Sequence, residues 1–383
     1  MPTLYLRQRL LPAAALFFIY TITSAQTSFK LKFNNSAVFT GIEVGSKGVK
    51  MSMVEIGKNA QSRGDFNILK DTSVNTDFIS FSQPTFQATL DALCNLYDKA
   101  LKEYGIPDKR VFTVTSSGVK MQAEKEGKTQ WVNMLIDSFR RRINEPARYV
   151  EVVDVLQEAR LSHMGIVPDS RRYTTFLIDI GSGNTKGGYF PYGNTKDFKL
   201  FQINWGTKST ANQVEKRCED DKSVVNFNRH LPRVLSAAEN SEIIYAVNES
   251  GSYPLSDNIA ISGGIAWAVA TLSHPELIDN SVVPVTYEEI LKFSEQLYRD
   301  HASFSDAAIT ATINDPTLDK TIIAREVKRV NQVFDQKSLM AGTGLLLKIM
   351  RQFKSIYESK QFYLVKNGQV GWISAYVDQH INK

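Results

Sequence analysis

Cysteine and histidine are scarce in this chain: its 383 residues hold two cysteines and five histidines. No Cys/His spacing forms the paired pattern of a zinc site, which excludes a metal-built scaffold. Cys94 and Cys218 fall in different halves, and a bridge between them would pin the halves together, so both are expected free and buried. A strong charge of one sign is also missing. The formal net charge is +5, which argues against general binding of nucleic-acid duplexes but leaves room for a local basic site. There is no low-complexity tract and no long linker. What is present is an ordinary globular composition, 43% hydrophobic and 22% charged, in a chain long enough for two domains.

One apolar run stands apart. Arg7 and Arg9 precede an apolar stretch from Leu10 to about Thr23, and the small residues Thr23-Ser24-Ala25 follow. This is the order of a secretory signal, with cleavage expected after Ala25. An uncleaved anchor is the alternative, for which the run is short. Removal of residues 1–25 takes away Arg7 and Arg9 and lowers the formal charge from +5 to +3. The expected location is outside the inner compartment, periplasmic or extracellular, with no membrane span left in the mature chain.

Beyond the signal, strands are expected at 37–44, 49–56 and 66–69, around a glycine turn. Helical spacing covers 86–104 and 131–143, with short strands at 111–115 and 149–153. A helix is expected over 158–164, ending at Gly165. The polar stretch Pro168-Asp169-Ser170-Arg171-Arg172 then precedes fresh strands at 174–180, 186–190 and 198–204. It divides an N-terminal lobe, 26–172, from a C-terminal lobe, 173–383. Ile259-Ala260-Ile261-Ser262 is a strand entering a helix. Residues 286–354 are mostly helical by pattern, and 362–365 and 370–377 read as closing strand or helix pieces. The second half repeats the opening plan of strand, acid, glycine turn and strand, which indicates a duplicated α/β unit.

The two repeated turns carry the chemistry. One is Gly41-Ile42-Glu43-Val44-Gly45-Ser46-Lys47-Gly48. The other is Leu177-Ile178-Asp179-Ile180-Gly181-Ser182-Gly183-Asn184-Thr185-Lys186. Small residues let the backbone approach a ligand and aim several N–H groups at one spot, a concavity suited to phosphate. Gly45, Ser46, Lys47, Gly181, Ser182, Gly183, Asn184, Thr185 and Lys186 are therefore phosphate-binding candidates, with a positive φ expected at Gly181 or Gly183. Strand alternation leaves open whether Lys186 faces the ligand or solvent. A phosphoanhydride also needs a carboxylate to position water. Glu158, at a helix start beside the interlobe connection, is the candidate. Asp179 is the candidate for Mg²⁺, which takes few carboxylates and keeps several waters, and Glu43 can share either role. Arg140-Arg141-Arg142 reads either as a polyanion path or as a solvated helix face.

Taken in order, these segments resemble a known group. The two turns and Ser262-Gly263-Gly264 are similar to the phosphate-1, phosphate-2 and adenosine-type motifs of the superfamily of actin, heat-shock chaperones and sugar kinases. The closer resemblance is to the exopolyphosphatase and guanosine pentaphosphate phosphohydrolase family, through Gln157-Glu158-Ala159-Arg160-Leu161 and the small-residue turn Val114-Thr115-Ser116-Ser117-Gly118-Val119-Lys120. That resemblance implies an α/β, two-lobe, actin-like (ribonuclease H-like) fold with an interlobe cleft. It implies Mg-assisted hydrolysis of a phosphoanhydride, inorganic polyphosphate first, with Ser116 and Lys120 among the phosphate contacts.

The chain departs from the family pattern at several points. Glu43 stands for an aspartate, Lys47 for an asparagine, Lys120 for an arginine and Lys186 for an acid. The C-terminal Asn367-Gly368-Gln369-Val370-Gly371-Trp372 lacks an Arg-Glu pair. Secreted apyrase-type nucleoside phosphatases are a second, related resemblance, through Glu43-Val44-Gly45-Ser46 and Asp179-Ile180-Gly181-Ser182. A binder of phosphate or polyanions without turnover is the reading from another class.

Overall fold

The computed structural model describes residues 29–58, 66–253, 255–354, 359–366, 368 and 371–381. The expected signal and its expected cleavage point after Ala25 lie outside the described residues. Two sheets organise the chain. The first runs β3-β2-β1-β4-β5 and the second β10-β11-β9-β6-β7-β8. The strands of the first are β1 (Ala37–Val44), β2 (Gly48–Ile56), β3 (Phe66–Asn75), β4 (Val111–Thr115) and β5 (Val150–Val152). Those of the second are β6 (Thr175–Ile180), β7 (Thr185–Tyr189), β8 (Lys199–Ile203), β9 (Asn258–Ser262), β10 (Val282–Val285) and β11 (Gln361–Val365).

Each sheet starts as an antiparallel meander, β1-β2-β3 in one and β6-β7-β8 in the other. Each then adds parallel strands beside its first strand, β4 and β5 or β9 and β11. The duplicated plan seen in the sequence is therefore a duplicated sheet topology, and the fold is two-lobe, actin-like α/β.

The helices are α1 (Gln83–Asp98), α2 (Ser117–Lys125), α3 (Thr129–Arg142), α4 (Val155–Ile166), α5 (Thr207–Arg217), α6 (Val224–Ala238), α7 (Ile244–Ser250), α8 (Gly264–Ser273), α9 (Tyr287–Arg299), α10 (Asp306–Thr312), α11 (Lys320–Val333), α12 (Gln336–Phe353) and α13 (Gly371–Ile381). Each sheet has its own apolar core. Ile42, Met51, Met53, Leu93 and Phe139 belong to the first, and Phe176, Ile178, Ile261, Leu345 and Phe353 to the second. Among the described residues, no helix is long and apolar enough to cross a membrane.

Two helices join the lobes. α4 leaves the first sheet, and α13 returns to it from the second. Leu161 and Met164 of α4 share a core with Trp372, Ile373 and Tyr376 of α13 and with Phe39 and Val54 of the first sheet. The crossing is close: a Cβ on Gly165 would lie 1.9 Å from the Gly371 carbonyl oxygen.

That crossing explains one difference from expectation. Gly165 does not end a helix; α4 continues through it to Ile166, and the glycine is there for the approach of α13. The start differs too. Asp154 caps α4 by accepting the Gln157 N–H at 2.7 Å, the usual role of an aspartate at this position, so Glu158 sits in the first turn and not at its first residue. Residues 370–377 resolve as helix from Gly371 onward. The small-residue turn after β4 is one residue long, because Ser116 is already the N-cap of α2. Cys94 and Cys218 are both free, but only Cys218 is buried; Cys94 is half-buried.

Candidate active site

Strand register builds the site. In the first lobe Glu43 of β1 lies opposite Lys50 of β2. In the second, Asp179 of β6 lies opposite Lys186 of β7. Each acid is the last residue but one of its strand, two residues before a glycine, and each hairpin closes alike. Gly45 N–H donates to Gly48 O at 2.8 Å, and Gly181 N–H donates to Asn184 O at 3.0 Å. Glu43-to-Lys50 and Asp179-to-Lys186 are thus the same eight-residue device, one per lobe.

The neighbouring parallel strand brings a second turn to each hairpin. The Ser116 N–H donates to the Val44 carbonyl at 3.0 Å, which sets the start of α2 beside the first turn. A Cβ on Gly118 would meet Ser46 Oγ at 3.0 Å. In the second lobe Ser262 lies across from Asp179 and its hydroxyl donates to Asp179 Oδ1 at 2.9 Å. Gly263 has φ +98°, and a Cβ there would lie 2.2 Å from the Ile180 carbonyl oxygen. The positive φ of this site therefore belongs to Gly263, since neither Gly181 nor Gly183 adopts one. The reason is that Gly181 and Gly183 continue a tight hairpin, while Gly263 must turn sharply from β9 into α8 beneath it. Ser262-Gly263-Gly264 supports the second turn from below.

Glu158 reaches these hairpins from α4. Its Oε2 accepts the Ser117 N–H at 2.9 Å, a contact at the N-terminus of α2 where an anion is favoured. Its Oε1 accepts from Lys186 Nζ at 2.5 Å. Glu43 and Lys186 are each 9% exposed and Glu158 is 4% exposed, so the cluster is largely shielded from water.

The electrostatics separate the three acids. Burial raises Glu43 from 4.5 to about 7, with Glu158 and Asp179 adding to the rise against Lys50 and Lys186. Burial likewise raises Asp179, against the pull of Lys186 and the Ser262 hydrogen bond. Glu158 goes the other way: burial raises it, but Lys186 and then Ser117 outweigh burial and hold it below the usual glutamate range. For Lys186, burial favours the neutral amine, yet Glu158, Asp179 and Glu43 together push its pKa up. At neutral pH Glu158 is ionised and Lys186 is charged, while Glu43 is poised between its two forms.

The remaining candidates divide into two groups. Ser46 and Ser182 are half-exposed at the two turns, and Lys47 is exposed. Lys120 is half-buried on α2, with no ion pair from its ammonium among the described residues. Thr185, by contrast, is fully buried and its hydroxyl donates to the Trp205 carbonyl at 2.6 Å, so its side chain fastens the fold. Arg142 pairs with Asp91 of α1, and Arg140 Nε donates to the Arg148 carbonyl at 2.8 Å. These arginines serve the first lobe's own packing.

Two lysines had not been singled out. Lys50 faces Glu43, and Lys208 opens α5 with its N–H donating to the Ser182 carbonyl at 2.8 Å. Partial loss of hydration, then the charges of Lys208 and Lys50, hold the Lys47 ammonium below the usual lysine range. Three lysines from both lobes thus stand close together. Lys50 was legible in the alignment of the two hairpins; nothing in the local sequence marks Lys208.

A magnesium ion on Asp179 and Glu43 does not fit these residues as they stand. Lys186 already places an ammonium among the three carboxylates, and no group of three or more acids, cysteines or histidines converges as metal ligands among the described residues.

No family model matches the chain, and no curated protein does. Solved structures do. The Aquifex aeolicus member of the Ppx/GppA family superposes with a TM-score of 0.59 at 16% identity, covering 91% of this chain and 98% of that one. The type II variant of the Aquifex aeolicus Ppx/GppA phosphatase gives 0.57 at 14% identity, covering 87% and 98%. An exopolyphosphatase from Cytophaga hutchinsonii gives 0.53 at 14% identity, covering 90% and 98%. Over nearly its whole length, then, the chain has the two-lobe actin-like fold of the Ppx/GppA structures.

Proposed function

We propose that this chain is a phosphoanhydride hydrolase of the exopolyphosphatase type, exported, with inorganic polyphosphate as its substrate. The observation that carries the reading is the matched pair of hairpins, one per lobe, which brings Glu43, Asp179 and Glu158 into mutual electrostatic reach. The fold shared with Ppx/GppA structures supports it. The signal-like N-terminus favours polyphosphate over cytosolic nucleotides such as the guanosine alarmones.

In this reading the terminal phosphate sits between the Gly45–Gly48 and Gly181–Asn184 turns, where the inner N–H groups of Ser46, Lys47, Ser182 and Gly183 face its oxygens. Lys47, Lys50 and Lys208 offset the charge of the following phosphates. The ionised Glu158 orients a water molecule; each carboxylate oxygen has a second lone pair beyond those taken by Ser117 and Lys186. The water oxygen attacks the terminal phosphorus as the bridging P–O bond breaks. The water's proton passes to a carboxylate, for which Glu43, with a pKa of about 7, is matched to neutral pH. The shortened polyphosphate leaves as the conjugate base.

One observation favours a second reading, a binder without turnover: both oxygens of Glu158 are already engaged. The deciding experiment measures orthophosphate release by the purified protein from polyphosphate, ATP, ADP and guanosine tetra- and pentaphosphate in parallel. Release from polyphosphate above all others supports the proposal. Release from ATP and ADP instead points to an apyrase-type activity. Tight binding with no release from any of them leaves the binder.

A further inference from the structure

We propose that Lys186 is the site's own cation, holding by covalent attachment the place of a divalent metal, so that phosphate is bound here without one. The inference deepens the reading of the cleft as a phosphate site and rests on it.

The argument starts from Lys186 and its surroundings. Its side chain is 11% exposed and that of its partner Glu158 is 6% exposed. Asp179 lies directly across the hairpin from it, and Glu43 also bears on its charge. A lysine shielded this fully is held by the acids around it, because a buried ammonium without partners is strongly disfavoured. Glu158 therefore has its counter-charge before any ligand arrives, and the same ammonium bears on Asp179 and Glu43.

A magnesium ion meets two obstacles there. It takes oxygen ligands at about 2.0–2.1 Å in near-octahedral order, one or two of them carboxylates, and Glu158 Oε1 already accepts from the ammonium at 2.5 Å. A divalent ion would also stand a few ångströms from a fixed positive charge in a shielded site, where repulsion is screened little. The first lobe repeats the arrangement more openly, with exposed Lys50 across from Glu43. Two hairpins thus present an acid and a lysine face to face, and the ligand chemistry they suit is a phosphate chain neutralised by ammonium groups. Lys47 and Lys208 extend the same counter-charge beside the two turns.

The test uses Mn²⁺ as a paramagnetic stand-in for magnesium and tripolyphosphate as the anion. Electron paramagnetic resonance titration should find no Mn²⁺ site on the wild-type protein tighter than millimolar. Calorimetry should give the same tripolyphosphate affinity with EDTA as with Mg²⁺. In Lys186→Gln, tripolyphosphate affinity in EDTA should fall by about tenfold or more, the scale of one charge-assisted contact, and a Mn²⁺ site should emerge. A micromolar Mn²⁺ site in wild type that disappears in Asp179→Asn overturns the inference, and so does a tripolyphosphate affinity that collapses in EDTA. The wild-type titration decides the matter even where Lys186→Gln does not fold. Should wild type bind no tripolyphosphate with or without Mg²⁺, the phosphate-site reading fails, while the Mn²⁺ titration still tells whether Lys186 excludes a metal.

Discussion

Lys186 of β7 donates to Glu158 of α4 at 2.5 Å, joining a strand of the second sheet to the helix that leaves the first. The pair is buried, and this fixes its energetic behaviour. Removing one member of a buried pair strands the other, at about 3–5 kcal/mol, whereas replacing both with neutral groups of like shape is much milder. Chemical denaturation should therefore show Lys186→Met strongly destabilised and the double variant Glu158→Gln/Lys186→Met restored for most of that loss. Additive losses would mean that the two side chains do not meet.

The pH dependence of stability follows from Glu43, raised from 4.5 to about 7 in the folded chain. A carboxyl with a raised folded pKa contributes stability that is fully present below its unfolded pKa and lost as pH climbs through the folded one. Glu158, held low, has the opposite sign, and its contribution is lost only as pH falls below the usual carboxylate range. Between about pH 5 and about pH 8, wild type should lose on the order of 1–3 kcal/mol relative to Glu43→Gln. Parallel denaturation midpoints for the two proteins across that window would show that Glu43 is not buried as described.

The glycines separate folding from binding. Gly263→Ala should cost stability, because a Cβ there would lie 2.2 Å from the Ile180 carbonyl oxygen at φ +98°. Gly165→Ala should cost about 1–3 kcal/mol by overpacking the α4–α13 crossing. Gly183→Ala has open space around it and should melt as wild type does, while weakening tripolyphosphate binding if the turn faces phosphate. Unchanged affinity in Gly183→Ala places the ligand elsewhere.

The lysines around the two turns make a salt-dependent prediction. Lys50→Ala and Lys208→Ala should each weaken tripolyphosphate binding and flatten its dependence on ionic strength, since exposed charges are screened within about 8–10 Å. Arg141→Ala, which only loses a contact to Ser138 on its own helix, should leave both unchanged. Calorimetry over a salt series compares the three.

Much of this was legible in the sequence, and the gaps have physical causes. The hairpins around Gly45 and Gly181 were readable because strand alternation and small-residue turns are local signals. The side to which Lys186 points was not, because both faces of β7 are buried and alternation then says nothing about solvent. Register with Asp179 decides it. The start of α4 was readable from Asp154, an ordinary N-cap type followed directly by the apolar Val155 and Leu156, and a start at Glu158 passes over that signal. Gly165 read as a stop because its real partner, Gly371, is remote in the chain. Lys208 joins the site only because Gly206 tucks under the second turn, where a Cβ would meet Gly181 O at 2.6 Å. No short-range pattern encodes that approach.

The most direct test of the account is orthophosphate release from polyphosphate by wild type beside Glu158→Gln. Wild type should turn over, and Glu158→Gln should be slower by about 10²-fold or more, the scale of losing the group that orients the attacking water. Its tripolyphosphate affinity should hold or rise, because a negative charge leaves a polyanion site. Equal rates in the two proteins, or tight binding by wild type with no release at all, would contradict the catalytic role assigned to Glu158.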